Sequence, residues 1–420
     1  MVSTSVGTPL ATVPTTPTTI DSNMIIIGAF AIGLILCVAI YLYYNTRPTS
    51  ATAIVNTLST AASANKPISG ATTDTTVTTA GSGSSEGFQV PTVPAQDISP
   101  NETTFINLQP MAIKDVGFAG PYPNGSFDPV MATGNVLKAG FRFLTLQIDY
   151  MDSSKNGFEN SGEPTLVIRK PNDSLSSKNS GSIKEVAQTI ANMAFRPEIP
   201  HNMEPVILYL HILRAPSALK DPNGYLQFLS KIATALNPLA PMHLGLTPLG
   251  NFTRQKMSDS LLTTPLKSLQ GQVVIMSNAD TSMFRNTSST LTKYVPSQDL
   301  DFWVNMRVFL DANDSLGITQ LPDEPSMISA VVVDLYRVIS MTQAEQEAFA
   351  AKGKKRYVIA MPPRLKNPTV EQLSTAINTL GINAVPIDIF TDTTTGVMDL
   401  TSEYSNMPYH PKPIVLRNMS

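Results

Sequence analysis

Cysteine and histidine are scarce in this chain of 420 residues. A single cysteine, Cys37, excludes an intramolecular disulfide and any zinc site built from several cysteines. A histidine-dependent mechanism can draw only on the four histidines, which are His201, His211, His243 and His410.

Charge is sparse as well. Charged residues make up 15% of the chain, against about 25% in an average soluble domain. Lys and Arg number 29 and Asp and Glu number 32, which gives a net charge of -3. Because nucleic acids are bound by basic surfaces, this balance argues against nucleic acid as a partner.

Residues 24–44 form a long apolar run, MIIIGAFAIGLILCVAIYLYY, without a charged residue. A helix of this length would be about 31 Å long, which matches the hydrocarbon core of a bilayer. The preceding segment lacks the basic start of a cleaved signal peptide. We therefore predict an uncleaved single-pass transmembrane helix, with a buried core helix as the alternative. Arg47, three residues after the end of the run, favours a cytoplasmic C-terminal part.

Segments of low complexity flank the predicted anchor. Residues 1–23 and 45–100 are rich in Thr, Ser and Ala, and residues 72–87 read TTDTTVTTAGSGSSEG. Such composition cannot bury a core. We predict a disordered tail over residues 1–23, a flexible linker over residues 45–100 and a folded domain over residues 101–420.

Short apolar, β-branched runs recur through the predicted domain, with amphipathic helical stretches between several of them. The runs cover residues 143–150, 165–168, 205–213, 243–248, 272–278, 302–310, 330–338, 357–363 and 384–390. Near-continuous apolar strands are typical of a parallel sheet covered by helices. About eight strand–helix units predict an α/β fold, a TIM-type (β/α)8 barrel, and a doubly wound open sheet is the alternative.

Four segments carry motifs in a recognisable order: residues 135–152, 173–195, 204–213 and 382–417. They contain AGFRFLTLQIDY, DSLSSK followed by a helical stretch, EPVILYLHIL, and AVPIDIF with a KPIVLR ending. In this order they resemble G-x-R-x-x-E-L-D, T-L-T-S-K, P-V-I-L-S-L-E and K-P-x-x-L-R of the phosphatidylinositol-specific phospholipase C (X-domain) family. The resemblance implies a barrel of the PLC-like phosphodiesterase kind.

In that family, a histidine after strand 1 transfers a proton, and a second histidine before the T-L-T-S-K run stabilises the charge that develops on phosphate. The positions that match them here are Pro123 and Asp173. A proline cannot move a proton, and an aspartate without a cation beside it repels phosphate. The resemblance therefore implies a degenerate member without phosphodiesterase catalysis.

The family's calcium ligands match Asn124, Gln147, Asp149 and His211, so one carboxylate of three is kept. We expect no cofactor, and calcium only if the chain is active. The alternative function is a phosphodiesterase acting on phosphatidylinositol or another phospholipid. Its rearranged site would use Asp149, Asp173 and His211 as acid, base and metal-binding groups.

Other features have two interpretations each. Asp149 and His211 also fit structural roles, as a strand-end residue and a core histidine. Arg169 and Lys170, which follow a strand, are candidates for binding an anionic phospholipid head group. The basic run 352–356 is predicted as a solvated helix end, and contact with anionic lipid is the alternative.

The combination of an anchor, a Ser/Thr-rich linker and scarce cysteine resembles proteins of large DNA viruses that carry an internal membrane. The sequence thus predicts a single-pass membrane protein whose barrel is a structural or binding module, and the internal membrane of a virion is one candidate location. A protein partner on the barrel is a third function class, for which the sequence contains no motif.

Overall fold

A computed structural model describes residues 103–122, 124–150, 162–170, 174–244, 261–285, 294–310, 330–364, 366–390, 394–404 and 407–419. The predicted tail, anchor and linker lie outside these ranges, as do Pro123 and Asp173. Within these ranges, no helix combines the length and the apolar character that crossing a bilayer requires.

Strands recur along the whole described domain. They are β1 (Leu108–Pro110), β2 (Ala112–Ile113), β3 (Phe143–Tyr150), β4 (Pro164–Leu166), β5 (Val206–Ile212), β6 (Val273–Ser277), β7 (Met306–Leu310), β8 (Ala330–Asp334), β9 (Tyr357–Met361) and β10 (Tyr409–Pro411). Seven of them follow one parallel path, in the order β2-β3-β5-β6-β7-β8-β9. β4 pairs antiparallel with β3, and β1 pairs antiparallel with β10.

Residues 384–387 close this path into a ring. Ile359 of β9 forms a parallel bridge with Ala384, and Ile113 of β2 forms a parallel bridge with Ile387. Seven strands and this segment therefore form the wall of the barrel in the described part of the chain. We call these eight parallel segments the staves of the barrel. The predicted α/β barrel is confirmed, and the open doubly wound sheet does not occur because both edges of the path are bridged.

The helices alternate with the staves. They are α1 (Pro129–Lys138), α2 (Ile183–Met193), α3 (Pro222–Ala235), α4 (Leu300–Trp303), α5 (Leu335–Ile339), α6 (Gln343–Gly353), α7 (Val370–Ser374) and α8 (Thr394–Ser402). Side-chain caps fix where they begin, because the oxygens of Asp128, Ser182 and Asp221 accept from the first free N–H groups of α1, α2 and α3. Thr342 and Glu345 form a reciprocal capping box at α6.

Short turns complete the described chain. The 3-10 turns are Phe105–Asn107, Asn237–Met242, Leu266–Leu269, Ser282–Arg285, Pro296–Gln298 and Ile414–Leu416, and a π-helical turn, Thr375–Thr379, extends α7.

Apolar side chains form two layers, because successive residues of a strand point to opposite faces. One layer fills the barrel and includes Phe143, Tyr209 and Tyr357. The rings of Phe143 and Tyr357 stack there with their centroids 6.4 Å apart. The other layer lies between the staves and the helices and includes Leu144 and Leu208. Burial on both faces explains the near-continuous apolar runs in the sequence.

The two ends of the barrel differ in what they carry. The mouth is the end at which the parallel staves finish, and the N-terminal face is the end at which they begin. The pair β1–β10 lies at the N-terminal face, because β1 runs directly into β2. In α/β barrels, functional side chains are found at the mouth.

Candidate functional site

Two residues follow the first stave at the mouth. Lys114 donates its backbone N–H to the carbonyl of Ile387 at 2.8 Å, so Lys114 and Asp388 leave neighbouring staves side by side. Asp115 adopts a left-handed backbone conformation with φ 50. Its carbonyl accepts from Phe118 N at 3.0 Å, which forms the tight turn that leads away from the barrel.

Asp115, Asp388, Lys114 and Tyr122 form what we call the carboxylate cluster. The Tyr122 hydroxyl donates to Asp115 Oδ2 at 3.0 Å, and Asp388 Oδ1 accepts from Phe390 N at 2.8 Å. Asp115 and Asp388 are 7% and 1% exposed. Burial and the neighbouring Asp388 carboxylate raise the pKa of Asp115 to about 7. Burial also raises the pKa of Asp388, although the Phe390 N–H and Lys114 oppose the shift.

Lys114 supplies the positive charge of the cluster. Its Nζ donates to the carbonyls of Pro362 and Pro363 at 2.8 and 3.0 Å. Burial lowers the pKa of Lys114, and the Asp115 and Asp388 carboxylates oppose that shift. The ammonium is therefore held by backbone carbonyls at the rim, close to two carboxyl groups that it helps to neutralise.

Aromatic rings pack beside the carboxylate cluster. The Phe118 and Tyr122 rings lie 5.0 Å apart between centroids, and Phe118 and Phe390 lie 5.2 Å apart. Gly120 lies so close to Phe390 that an added Cβ would approach the ring to 2.4 Å. This packing leaves little of the two carboxyl groups exposed to solvent.

Asp149 lies inside the barrel near the end of β3, and the Nε of Arg169 donates to its Oδ2. The two side chains are 0% and 4% exposed. Arg169 is placed there by the short antiparallel strand β4, since Asp149 pairs with Thr165 in the register. The charge of the carboxylate is thus matched within the protein.

His211 is the residue before the end of β5, with Gln147 beside it in the register of β3. Its ring stacks on Tyr209 with centroids 5.4 Å apart and an interplanar angle of 11°. The side chain is half-buried, and its Nδ1 is buried without a hydrogen-bond partner. Burial, followed by the charges of Arg364 and Lys114, lowers the pKa of His211 to about 4.

The other three histidines lie toward the N-terminal face. His243 forms a bridge with Val273, the first residue of β6, and its Nε2 contacts Trp303 O at 2.8 Å. His410 lies in β10. The carbonyl of His201 accepts from Arg142, a residue that directly precedes β3.

The structure brings together most of the described candidates from the sequence. Gln147, Asp149 and His211 line neighbouring staves near the mouth, and Arg169 reaches Asp149. Lys170 is half-buried, and its carbonyl accepts from Arg364 Nη1 at 3.0 Å. Asn124 is exposed on the loop before α1.

These residues do not fit a calcium ion. Calcium takes six to eight oxygen ligands, several of them carboxylates. Here Asp149 is the one carboxylate of the set, and its Oδ2 already accepts from Arg169. Across the described ranges, no group of three His, Cys, Asp or Glu side chains is arranged to hold a metal.

Sequence reasoning missed Lys114, Asp115, Tyr122, Asp388 and Arg364. It placed the residue that matches the histidine after strand 1 at Pro123, whereas the first stave ends at Ile113. The sequence does contain a pattern that marks two of these residues, because Asp115 and Asp388 each follow a short apolar segment. Only closure of the ring shows that those segments are neighbours.

Comparison with known proteins gives structural matches only. No family model matches the chain, and no curated protein matches it significantly. A crystal structure of L. pealei PLC21 is 16% identical with a TM-score of 0.49, and the match covers 76% of this chain and 38% of that protein's length.

Two bacterial structures also match. A Ca2+-dependent phosphatidylinositol-specific phospholipase C from Streptomyces antibioticus is 10% identical with a TM-score of 0.42, covering 74% of this chain and 99% of that one. A glycerophosphodiester phosphodiesterase from Parabacteroides distasonis is 7% identical with a TM-score of 0.35, covering 69% and 97%. At these values the likeness carries no conclusion about activity, and the barrel is established by its own strand pairing.

Proposed function

We propose that this chain is a membrane-anchored barrel that lacks phosphodiesterase catalysis and acts as a structural or binding module at a membrane. The observation that carries the proposal is the distribution of the chain's four histidines. His211 alone lies near the mouth, while His201, His243 and His410 lie toward the N-terminal face. The two-histidine mechanism implied by the sequence resemblance needs both imidazoles beside one phosphate.

Contacts among the mouth residues support the same proposal. Arg169 donates to Asp149, Tyr122 donates to Asp115, and Lys114 donates to two carbonyl groups. Each of these groups therefore has a partner within the protein at the rim of the barrel. A pKa of about 4 also makes His211 a weak proton acceptor at neutral pH.

The membrane part of the proposal rests on the apolar run of residues 24–44, with the bilayer as partner. The barrel is proposed to lie on the cytoplasmic side of its membrane. The internal membrane of a virion is one candidate for that membrane. A phospholipid head group near Lys170, or a protein partner on the barrel, is the proposed ligand of the module.

Hydrolysis by the full chain in phosphatidylinositol vesicles tests the catalytic part. Water-soluble inositol phosphate is measured with calcium and then with chelator, beside an Asp149→Ala variant. We expect no product above the protein-free rate from any sample. Turnover that requires calcium and is lost in the variant would contradict the proposal.

A second candidate function is favoured by the carboxylate cluster. A carboxyl group with a pKa of about 7, such as Asp115, can give and take a proton near neutral pH. A phosphodiesterase with a rearranged site would then use Asp115 and Asp388 at the mouth. Activity that falls in Asp115→Asn and persists in Asp149→Ala would favour this candidate.

A further inference from the structure

The described domain begins at the N-terminal face of the barrel. Leu266 N donates to the carbonyl of Thr103 at 3.1 Å, and Phe105 N donates to that of Thr264 at 2.9 Å. Thr103 therefore lies beside the turn that leads into β6. The chain therefore enters the described domain at the end opposite the mouth.

Large apolar side chains are exposed at this same face. Ile414 and Val415, in the turn that follows β10, are 42% and 75% exposed. Leu416, the last residue of this turn, lies beside Gly381, since a Cβ added to that glycine would lie 3.3 Å from the Leu416 Cβ. Met203, in the turn before β5, is 56% exposed. These residues present apolar surface beside the point where the chain joins the barrel.

Basic side chains lie at the same face of the barrel. Lys354 and Lys355 lie between α6 and β9, and Lys355 is exposed. Gly353 lies near Leu380, since a Cβ added to Gly353 would be 4.0 Å from the Leu380 carbonyl oxygen. Leu380 precedes Gly381, the glycine that lies beside Leu416 of the apolar turn. Lys267 is exposed beside Thr264–Leu266, where the described domain begins.

Helix ends carry capping charges of opposite sign at the two ends of the barrel, although the exposed Lys184 and Lys220, beside the caps of α2 and α3, also lie at the mouth. Acidic groups are favoured at helix N-termini and basic groups at C-termini, because each complements the helix dipole. Since helices of the barrel begin at the mouth, the caps Asp128, Asp221 and Asp334 lie there. Lys138 and Lys352 lie in the last turns of α1 and α6, at the N-terminal face.

Among the described residues, acidic side chains at the N-terminal face are fewer than its lysines, and Asp399, in the last turn of α8, is exposed. Glu198 lies 3.8 Å from Arg196 in an ion pair. Glu204 is largely buried, and burial raises its pKa to about 7. Glu403 is half-buried and interacts with His410. The exposed charge of this face is therefore mainly that of its lysines.

We propose that the N-terminal face of the barrel docks on an anionic lipid bilayer, with Ile414 and Val415 in the interface and Lys354 and Lys355 against the head groups. The inference rests on the proposed membrane anchoring and deepens it, because it assigns the face that contacts lipid. Apolar side chains flanked by lysines are suited to anionic membrane surfaces, where each lysine strengthens binding about fivefold. Docking of this face directs the mouth away from the bilayer.

Depth-dependent fluorescence quenching tests the docking. The full chain, with Cys37→Ala, is reconstituted into phosphatidylserine-containing vesicles that carry a spin-labelled lipid. A fluorophore is attached at Val415→Cys or, as the matched control, at Leu219→Cys. Leu219 is 96% exposed in the loop after β5, at the mouth. We expect loss of fluorescence at position 415 and none at position 219.

Charge reversal provides the second arm. Lys354→Glu with Lys355→Glu is expected to remove the quenching at position 415, whereas Lys220→Glu, beside Leu219, is expected to leave it unchanged. Quenching at position 219, or at neither position, would overturn the docking. Anchoring is read separately by carbonate extraction of the same vesicles. Release of the chain by carbonate would contradict the transmembrane anchor. The docking is decided separately, by the quenching measured before the extraction.

Discussion

Arg169 and Asp149 form a buried ion pair inside the mouth of the barrel, with the Arg169 Nε donating to Asp149 Oδ2. Asp149 is the carboxylate that the sequence resemblance matches to a calcium ligand. In this chain its counter-ion is a guanidinium supplied by the segment after β4. The same pair therefore explains both how a buried carboxylate is tolerated and why the set around it does not suit calcium.

Arg169→Ala is expected to lower the free energy of unfolding by about 3 to 5 kcal/mol. The substitution leaves the Asp149 charge buried without its partner, which costs more than the pair itself contributes. Urea denaturation followed by circular dichroism measures the change.

Lys231→Ala provides the matched control for that prediction. Lys231 pairs with Glu163 at 2.5 Å, but the side chains are 44% and 52% exposed. Solvent screening limits such a pair to less than about 1 kcal/mol. Equal losses in the two variants would contradict the assigned role of the buried pair.

The carboxylate cluster predicts that stability falls as pH rises from about 4 to about 7. The pKa of Asp115 is raised from 3.8 to about 7 in the folded chain, so the native state binds more protons than the unfolded state in that window. Its contribution is fully present below the unfolded pKa and is lost as the pH approaches the folded pKa. Asp115→Asn should flatten the profile and exceed wild-type stability at pH 8, by at most about 4 kcal/mol.

Chemical denaturation at a series of pH values measures this slope. Asp221→Asn is the control, because it removes one negative charge from an exposed helix cap. A slope unchanged by Asp115→Asn would contradict the raised pKa of Asp115 in the folded chain.

Gly120→Ala is expected to destabilise the aromatic packing beside the cluster by about 2 to 4 kcal/mol. Gly120 has φ +70, and an added Cβ would lie 2.4 Å from Phe390 Cδ1. The measurement is again the free energy of unfolding. Gly162→Ala, at φ +83 with nothing within 4 Å of the added Cβ, should show only the backbone cost of about 1 to 2 kcal/mol. A Gly120→Ala chain as stable as Gly162→Ala would mean that the ring moves aside freely.

Much of the barrel could be predicted from residue patterns because its staves are buried on both faces. The apolar runs 143–150, 205–213, 272–278 and 357–363 coincide with strands to within two residues. The run 302–310 was predicted as one strand, but its first residues belong to α4, which the Asp299 side chain caps. The first stave, Ala112–Ile113, is too short to show any periodicity.

The candidate site was harder to predict than the fold. Asp149 and His211 could be placed near the mouth because each lies near the end of a long, recognisable strand. Lys114 and Asp388 could not, since they are distant in sequence and meet only where the first and last staves close the ring. Pro123 and Asp173, the proposed degenerate positions, lie outside the described residues and stay predictions.

Single-turnover hydrolysis tests whether this barrel has any phosphodiesterase activity. The full chain is reconstituted in molar excess over labelled phosphatidylinositol, with calcium present, and is followed for many hours beside a protein-free control. We expect substrate to disappear at the protein-free rate in wild type, Asp149→Ala and Asp115→Asn alike. A faster reaction in wild type that either substitution abolishes would contradict the claim that this barrel lacks catalysis.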